Sequence, residues 1–370
     1  MNSLKLIKMM LTATFFMFMT VACDVHQFPE QVVDPGEPDT PVNPEPPDDP
    51  DKYVDLNLSL VYETPLYLWE HFYDPKIGDV VESFPEANVD GNHPGTTRIF
   101  PGKLTTGFLH TTLRITPVGN SGKPGTEERL LVLTESDSYD HSYSTRLMPG
   151  EYEITAWSDF RENEEKKRYY DVSDFRSIKI DYENYEANTD HRDTFRGRID
   201  KADVMEYGEN VFVVEMHRPM AKYEFVTTDL SEFLDKETER RGLSTRASMD
   251  DYEVKIYYST YHPSAYNAVD DWLADSSTGV SFTTRTTVTG ESEASLGFDY
   301  VFINDTNDVG VQATIVVNDL EGNQVAQSKQ ITVPLRRDHH TLLRGAFLTM
   351  NGSGGVGIDP GYNGDHNIIP

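Results

Sequence analysis

The sequence predicts an all-β protein of two antiparallel β-sandwich domains. Three observations lead there: many short runs alternate apolar with polar residues, turn residues separate the runs, and only one segment carries a helix start. The clearest run is the first, where Val54, Leu56, Leu58, Leu60 and Tyr62 alternate with Asp55, Asn57 and Ser59. Period two means a strand with one face buried and the other wet. Similar runs cover residues 109–115, 129–133, 152–157, 177–181 and 210–216, with residues 117–125 and Met148-Pro149-Gly150 as turns between them. Short strands punctuated by turns, with few helical periods, are the pattern of a sandwich. After His217-Arg218-Pro219 the pattern restarts at residues 221–228, so the domain boundary falls between 219 and 220. Asp229 with Glu232 reads as the reciprocal cap of a short helix ending near Arg241. Strand runs then follow at 252–258, 280–287, 296–302, 311–317, 324–333 and 341–349. In the strand after Gly150, Tyr152, Ile154 and Ala156 share one face and Trp157 takes the other, where it is expected to cover a domain junction.

The N-terminus has the order of a secretory signal: Lys5 and Lys8, an apolar stretch from Met9 to Val21, then Thr20-Val21-Ala22-Cys23. An apolar stretch of about 13 residues is shorter than the ~20 a spanning helix needs. The residues before Cys23 resemble the lipobox of bacterial lipoproteins, although Thr20 stands where leucine is usual. Cys23 is the single cysteine of the chain and has no intramolecular partner for a disulfide. The expectation is a lipoprotein signal peptide at 1–22 and a lipidated, palmitate-bearing Cys23, held to the membrane by acyl chains. Residues 24–51 contain prolines and acidic residues in abundance and no lysine or arginine, which predicts a disordered, extended spacer over 23–51. The division that results is a first sandwich at 52–219, a second at 220–350 and a glycine-rich tail at 351–370.

The formal net charge is −30. Nucleic acid is therefore excluded as a partner, and anionic lipid offers no attraction, which leaves the acyl group to anchor the chain.

Three stretches carry a family resemblance: CDVHQFPE from Cys23, RPMAKYEFVTTDL from Arg218, and VPLRRDHHTLLRGAFLT from Val333 with the GGVGIDPGYNGDHNI tail. Together with the lipoprotein start they resemble surface lipoproteins of Bacteroidales related to fimbrillin-like and fimbrium-anchoring subunits. The resemblance implies two sandwiches of transthyretin-like topology, and MPGEYEITAWSD from Met148 is similar to the proline-glycine turn and strand of that fold. It also implies a mechanism. Shaft subunits of such fimbriae lose their first strand to an arginine-directed protease, and the groove accepts a strand from the next subunit. Here the first arginine after Cys23 is Arg98, beyond the strand at 54–62.

No G-x-S-x-G elbow, H-E-x-x-H helix or phosphate loop is present, so no enzyme, cofactor or metal site is expected. His339-His340, placed in a hairpin turn, and Asp190-His191 with Asp193 lack complete ligand spacing. Asn304-Asp305 with Asn307, Asp308 and Gly310 has Val309 where a calcium ligand belongs, and Asp359, Asn363 and Asp365 are equally loose. Aromatic residues are the one candidate for ligand contact: Tyr67, Trp69, Phe72 and Tyr73 would suit the apolar faces of sugars if exposed. The expected function is a non-enzymatic, lipid-anchored protein of the outer membrane and cell surface, a fimbrial anchoring or accessory subunit in cell adhesion. The alternative is a surface glycan-binding lipoprotein for nutrient capture. The partners implied are the membrane, other fimbrial subunits, and host or dietary glycans.

Overall fold

The computed structural model describes residues 53–63, 66–74, 78–82, 97–99, 107–118, 125–133, 140–161, 168–304 and 309–350. These residues belong to one compact unit. Among the described residues strands dominate, and the one α-helix is Leu230–Arg241. An all-β fold is what the alternating pattern predicts.

A first sheet of seven strands runs, in spatial order, Gly125–Leu133, Gly107–Pro117, Gly150–Arg161, Thr194–Val204, Asn210–His217, Val54–Tyr62 and Asp140–Leu147. A second, also of seven, runs Thr287–Val288, Ala294–Phe302, Met220–Thr227, His339–Gly345, Leu66–Asp74 and Asp79–Glu82, with Thr97–Ile99 also paired to Leu66–Asp74. A four-stranded sheet joins Trp272–Ser277, His262–Asn267, Ile178–Ile180 and Tyr170–Asp171. The fourth sheet has Ser281–Thr284, Tyr252–Tyr258, Val309–Asp319, Gln324–Gln327 and Ile331–Leu335.

The topology departs from the expected antiparallel pairing. Antiparallel sandwiches were expected, yet Val54–Tyr62 pairs in parallel with Asn210–His217, and His339–Gly345 pairs in parallel with both Met220–Thr227 and Leu66–Asp74. Alternation reports which face a residue occupies and carries no information on strand direction. Strands from before and after residue 219 share sheets: Leu66–Asp74 pairs with His339–Gly345, and Ile178–Ile180 pairs with His262–Asn267.

Three apolar clusters fill the unit. The first lies between the second and fourth sheets and takes in Phe233 and Leu234 of the helix. Another is drawn from strands of the first sheet, among them Leu56, Leu58, Leu60, Ile154 and Val214. In the third, Trp157 of the first sheet meets Tyr170 and Tyr266 of the four-stranded sheet and Phe302 of the second. Trp157 sits where three sheets meet, and Tyr152, Ile154 and Ala156 face the other way.

The helix cap differs from expectation. Asp229 holds the N-cap position but makes no side-chain cap bond. Its carboxylate accepts the Leu348 and Thr349 amides, the latter at 2.7 Å, and the Thr227 hydroxyl. Gly242 closes the helix in the left-handed region at φ 62°.

Candidate functional site: the enclosed first strand and the fork at its end

Val54–Tyr62 is enclosed on both sides. Leu56 to Tyr62 register in parallel with Asn210 to Met216, and Val54 to Val61 register antiparallel with Leu147 to Asp140. The inward face buries Leu56, Leu58, Leu60 and Tyr62. Full burial of such a side chain stabilises by ~1.5–3 kcal/mol, so the four hold the strand strongly. The Tyr62 hydroxyl lies 2.9 Å from Ser158 Oγ and 3.2 Å from Thr111 Oγ1, which are themselves 2.7 Å apart, so the one polar atom of that face is satisfied inside the sheet.

At the far end of this parallel pair the two chains leave the first sheet and separate. Glu63 leads to Leu66–Asp74, and Arg218-Pro219 leads to Met220–Thr227, with His339–Gly345 lying between those two strands in the second sheet. The fork is tied by Arg218. Its Nη1 donates to the Glu63 carbonyl at 2.7 Å, and its Nε lies 2.9 and 3.0 Å from the two Asp193 carboxylate oxygens. Between the prongs stands Asp338, at φ 60°, whose carbonyl accepts the Tyr67 amide and whose amide donates to the Met220 carbonyl. Burial pushes the Asp338 carboxyl up to about 7; Arg218 and Arg337 oppose this, and Glu63 and Asp193 add to it. On the rim, His217 Nδ1 lies 2.9 Å from Glu63 Oε2, and this hydrogen bond raises the imidazole above its ordinary value.

A strap at residues 181–193, between Ile178–Ile180 and Thr194–Val204, supplies the remaining charges. Asp190 accepts from Lys222 at 2.7 Å and from the Tyr300 hydroxyl at 2.8 Å. Arg192 donates to Asp299 at 2.6 Å, with both side chains essentially out of solvent. Asp299 also accepts from Tyr258 at 2.7 Å, from Tyr185 and from the Tyr300 amide. Burial raises the hydroxyls of Tyr185, Tyr223 and Tyr258, keeping them protonated as donors. Close by, burial pushes His262 down to about 3, and its Nδ1 lies 3.0 Å from the Tyr182 hydroxyl. Each buried cation in this assembly meets a carboxylate, the condition under which buried charge is tolerated. The arrangement holds sheets together.

The residues singled out in sequence are placed as follows. Cys23 lies outside the described residues, as do Asp305, Asn307, Asp308, Asp359, Asn363 and Asp365. Trp69 and Tyr73 are 5% and 4% exposed and Tyr67 is half-buried. Tyr67 and Trp69 pack on His339, Arg336 lies over Trp69 at 4.2 Å, and Tyr73 packs on Phe347. The strand thus turns its aromatic face inward, leaving Phe72 as its exposed ring. Asp190 and Asp193 are committed to Lys222 and Arg218. The turn before His339 is made by Arg336 to Asp338; His339 and His340 open the strand itself, and His340 Nε2 lies 3.1 Å from Glu224. Asn304 accepts the Leu273 amide. Among the described residues no group of three or more histidine, cysteine or carboxylate side chains is placed to hold a metal ion. Arg192, Arg218, Asp299 and Asp338 were not singled out. Their one sequence signal is a charge inside or beside an apolar run, as with Asp299 between Phe298 and Tyr300.

Residues 102–369 match the profile of a family of unknown function, DUF6562. The chain belongs to this family. In this DUF6562 protein the strands Val54–Tyr62 and Leu66–Asp74 precede the matched region. No curated protein matches the chain in sequence. Among solved structures it is similar to a candidate polysaccharide-binding protein (DUF1812) from Bacteroides thetaiotaomicron, at 14% identity and a TM-score of 0.38, covering 74% of this chain and 80% of the other. It is similar to a candidate adhesin from the same organism, at 12% identity and a TM-score of 0.38, covering 76% and 81%. It is also similar to the tip fimbrial protein Mfa3 from Porphyromonas gingivalis, at 8% identity and a TM-score of 0.35, covering 76% and 82%. Among the described residues no helix is long and apolar enough to cross a membrane.

Proposed function

We propose that this DUF6562 protein is a non-enzymatic, lipid-anchored protein of the outer membrane, built of two β-sandwich domains and acting as a fimbrial anchoring or accessory subunit in adhesion. The observation that carries the reading is the enclosure of Val54–Tyr62 between Asn210–His217 and Asp140–Leu147. A shaft subunit needs an open groove, because strand addition uses unpaired backbone groups and alternating pockets. Here that groove is filled by the protein's own strand, which enters from the side of Cys23. Lys52 is the one lysine or arginine between Cys23 and the strand, and the first arginine, Arg98, follows both Val54–Tyr62 and Leu66–Asp74. Cleavage after Arg98 would strip Val54–Tyr62 from one large sheet and both Leu66–Asp74 and Asp79–Glu82 from the other, and would cut through Thr97–Ile99. A subunit that keeps its first strand, tethered to lipid, ends a polymer or stands beside it.

The rival reading, nutrient capture by a glycan-binding lipoprotein, expects exposed rings at Tyr67, Trp69 and Tyr73. Their inward packing supports the anchoring reading over that version of the rival.

The anchor is tested by Cys23→Ala. Cells fed a radioactive fatty acid should label the native protein and not the variant, which stays folded and leaves the membrane or stalls as precursor. Equal labelling of both would refute lipid attachment at Cys23.

A further inference from the structure

The chain has three tryptophans. Trp69 and Trp157 are 5% and 0% exposed, and Trp272 is 61% exposed. Trp272 stands at the tip of the hairpin made by His262–Asn267 and Trp272–Ser277, on the edge of the four-stranded sheet.

This tip is held by three other elements. Arg196 of the first sheet donates to the Ala268 carbonyl at 2.8 Å, the Ala268 amide donates to the Phe175 carbonyl at 2.8 Å, and Asp271, at φ 59°, receives Arg337 at 3.0 Å together with the Tyr266 hydroxyl. The Asn267 side chain accepts the amides of Val269 and Asp270, both at 3.0 Å. An exposed indole on a turn fixed in this way contributes little to the fold, and the fixed backbone lowers the ordering cost of using it to bind a partner.

Polar groups share the turn with the ring. Asn267 is the cross-strand partner of Trp272; its Nδ2 donates to Asp270 at 2.9 Å, and Arg176 donates to the same Asp270 oxygen at 3.0 Å. The group offers donors and acceptors with no net charge, since Arg176 offsets Asp270. Ala274, the next outward residue of the strand, adds no bulk. The strand edge is closed to an added strand along part of its length, because the Leu273 amide is taken by Asn304 and the Ser276 amide by Asp275 at 2.7 Å.

We infer that Trp272, with Asn267, Asp270 and Arg176, is a binding subsite for a neutral pyranose unit of an oligosaccharide. A pyranose presents an axial C–H face that packs on an indole and equatorial hydroxyls that need paired donors and acceptors at its rim. An aromatic ring supplies the apolar area, and a few fixed polar groups set orientation. An anionic glycan is disfavoured by a chain of net charge −30. The subsite is independent of how the protein is anchored.

Intrinsic fluorescence reads it directly, because the two other indoles are buried. The full chain from Asp24 is titrated with maltohexaose, cellohexaose, mannohexaose and xylohexaose, with hexagalacturonate as the anionic control. At least one neutral hexasaccharide should shift the emission with saturation below about 1 mM, and Trp272→Ala should weaken binding, measured by calorimetry, by about tenfold or more. Asp270→Asn should weaken it less, and Trp272→Phe should retain part of it. Both tryptophan variants should melt with the wild type, the ring being outside the core. Silence of all four neutral sugars up to about 10 mM overturns the inference. So does undiminished binding by Trp272→Ala, or an emission shift driven by protein concentration alone, which would mark a protein interface.

Discussion

Arg218 donates to the backbone carbonyl of Glu63 at 2.7 Å, and so ties together two segments of the backbone at the point where they leave one sheet for another. The same guanidinium is held from the opposite side by both oxygens of Asp193. Removing one partner of a buried pair strands the other, at a cost of about 3–5 kcal/mol. Arg218→Met should lower unfolding stability by that amount in urea titrations, with the slope unchanged. A loss under about 1 kcal/mol would show that the fork is held by packing alone.

Arg192 and Asp299 should couple in the same way. Either single replacement, Arg192→Met or Asp299→Leu, leaves an uncompensated buried charge, whereas the double variant leaves none. The double variant should therefore be more stable than the sum of the singles by at least about 2 kcal/mol in a double-mutant cycle. Additive losses would mean that the Asp299 hydroxyl donors Tyr185 and Tyr258 carry the interaction without Arg192.

Asp338 should make stability fall as pH rises. Its folded carboxyl, pushed up to about 7 from 3.8, favours the protonated form, so its contribution is complete below the unfolded value and is lost as pH rises through the folded one. His217, raised by Glu63, acts with the same sign, while His262, pushed down to about 3, acts oppositely as pH falls below its ordinary value of 6.5. Between pH 6.5 and 8 the first two act against His262 and His340, which burial also lowers, and Asp338 should supply roughly 1 kcal/mol of loss there. Asp338→Asn, which suits the left-handed backbone at this turn, should flatten most of that slope and gain stability at pH 8. An unchanged slope in thermal melts would remove Asp338 from the account.

How far the sequence is legible depends on what a strand packs against. Val54–Tyr62 and Tyr252–Tyr258 agree with their alternation, because each has one buried and one solvated face. Leu66–Asp74 has no clean period, since Leu66 on one face and Trp69, His71 and Tyr73 on the other are all buried. Thr194–Val204 is hidden by Arg196, Arg198 and Asp200, charges that interrupt its apolar residues, and its register slips between Ile199 and Ala202. Residues 324–333 read as one run and divide into Gln324–Gln327 and Ile331–Leu335, two strands that both pair with Val309–Asp319. The fork and strap were beyond reach for another reason. Arg192 and Asp299 are 107 residues apart in sequence, and a single chain carries no mark of which buried charges meet. Exposure at Trp272 was hidden similarly, as nothing in Asp271-Trp272-Leu273 marks a ring turned out from one turned in.

The central claim is that the first strand stays in the sheet of a lipid-tethered protein. N-terminal sequencing with intact mass of the protein extracted from native membranes tests it most directly. The account predicts a blocked N-terminus and the mass of a chain starting at Cys23 with acyl chains attached, so that Val54–Tyr62 is retained. A mature species beginning immediately after Arg98 would contradict it and make the protein a polymerising subunit with an opened groove.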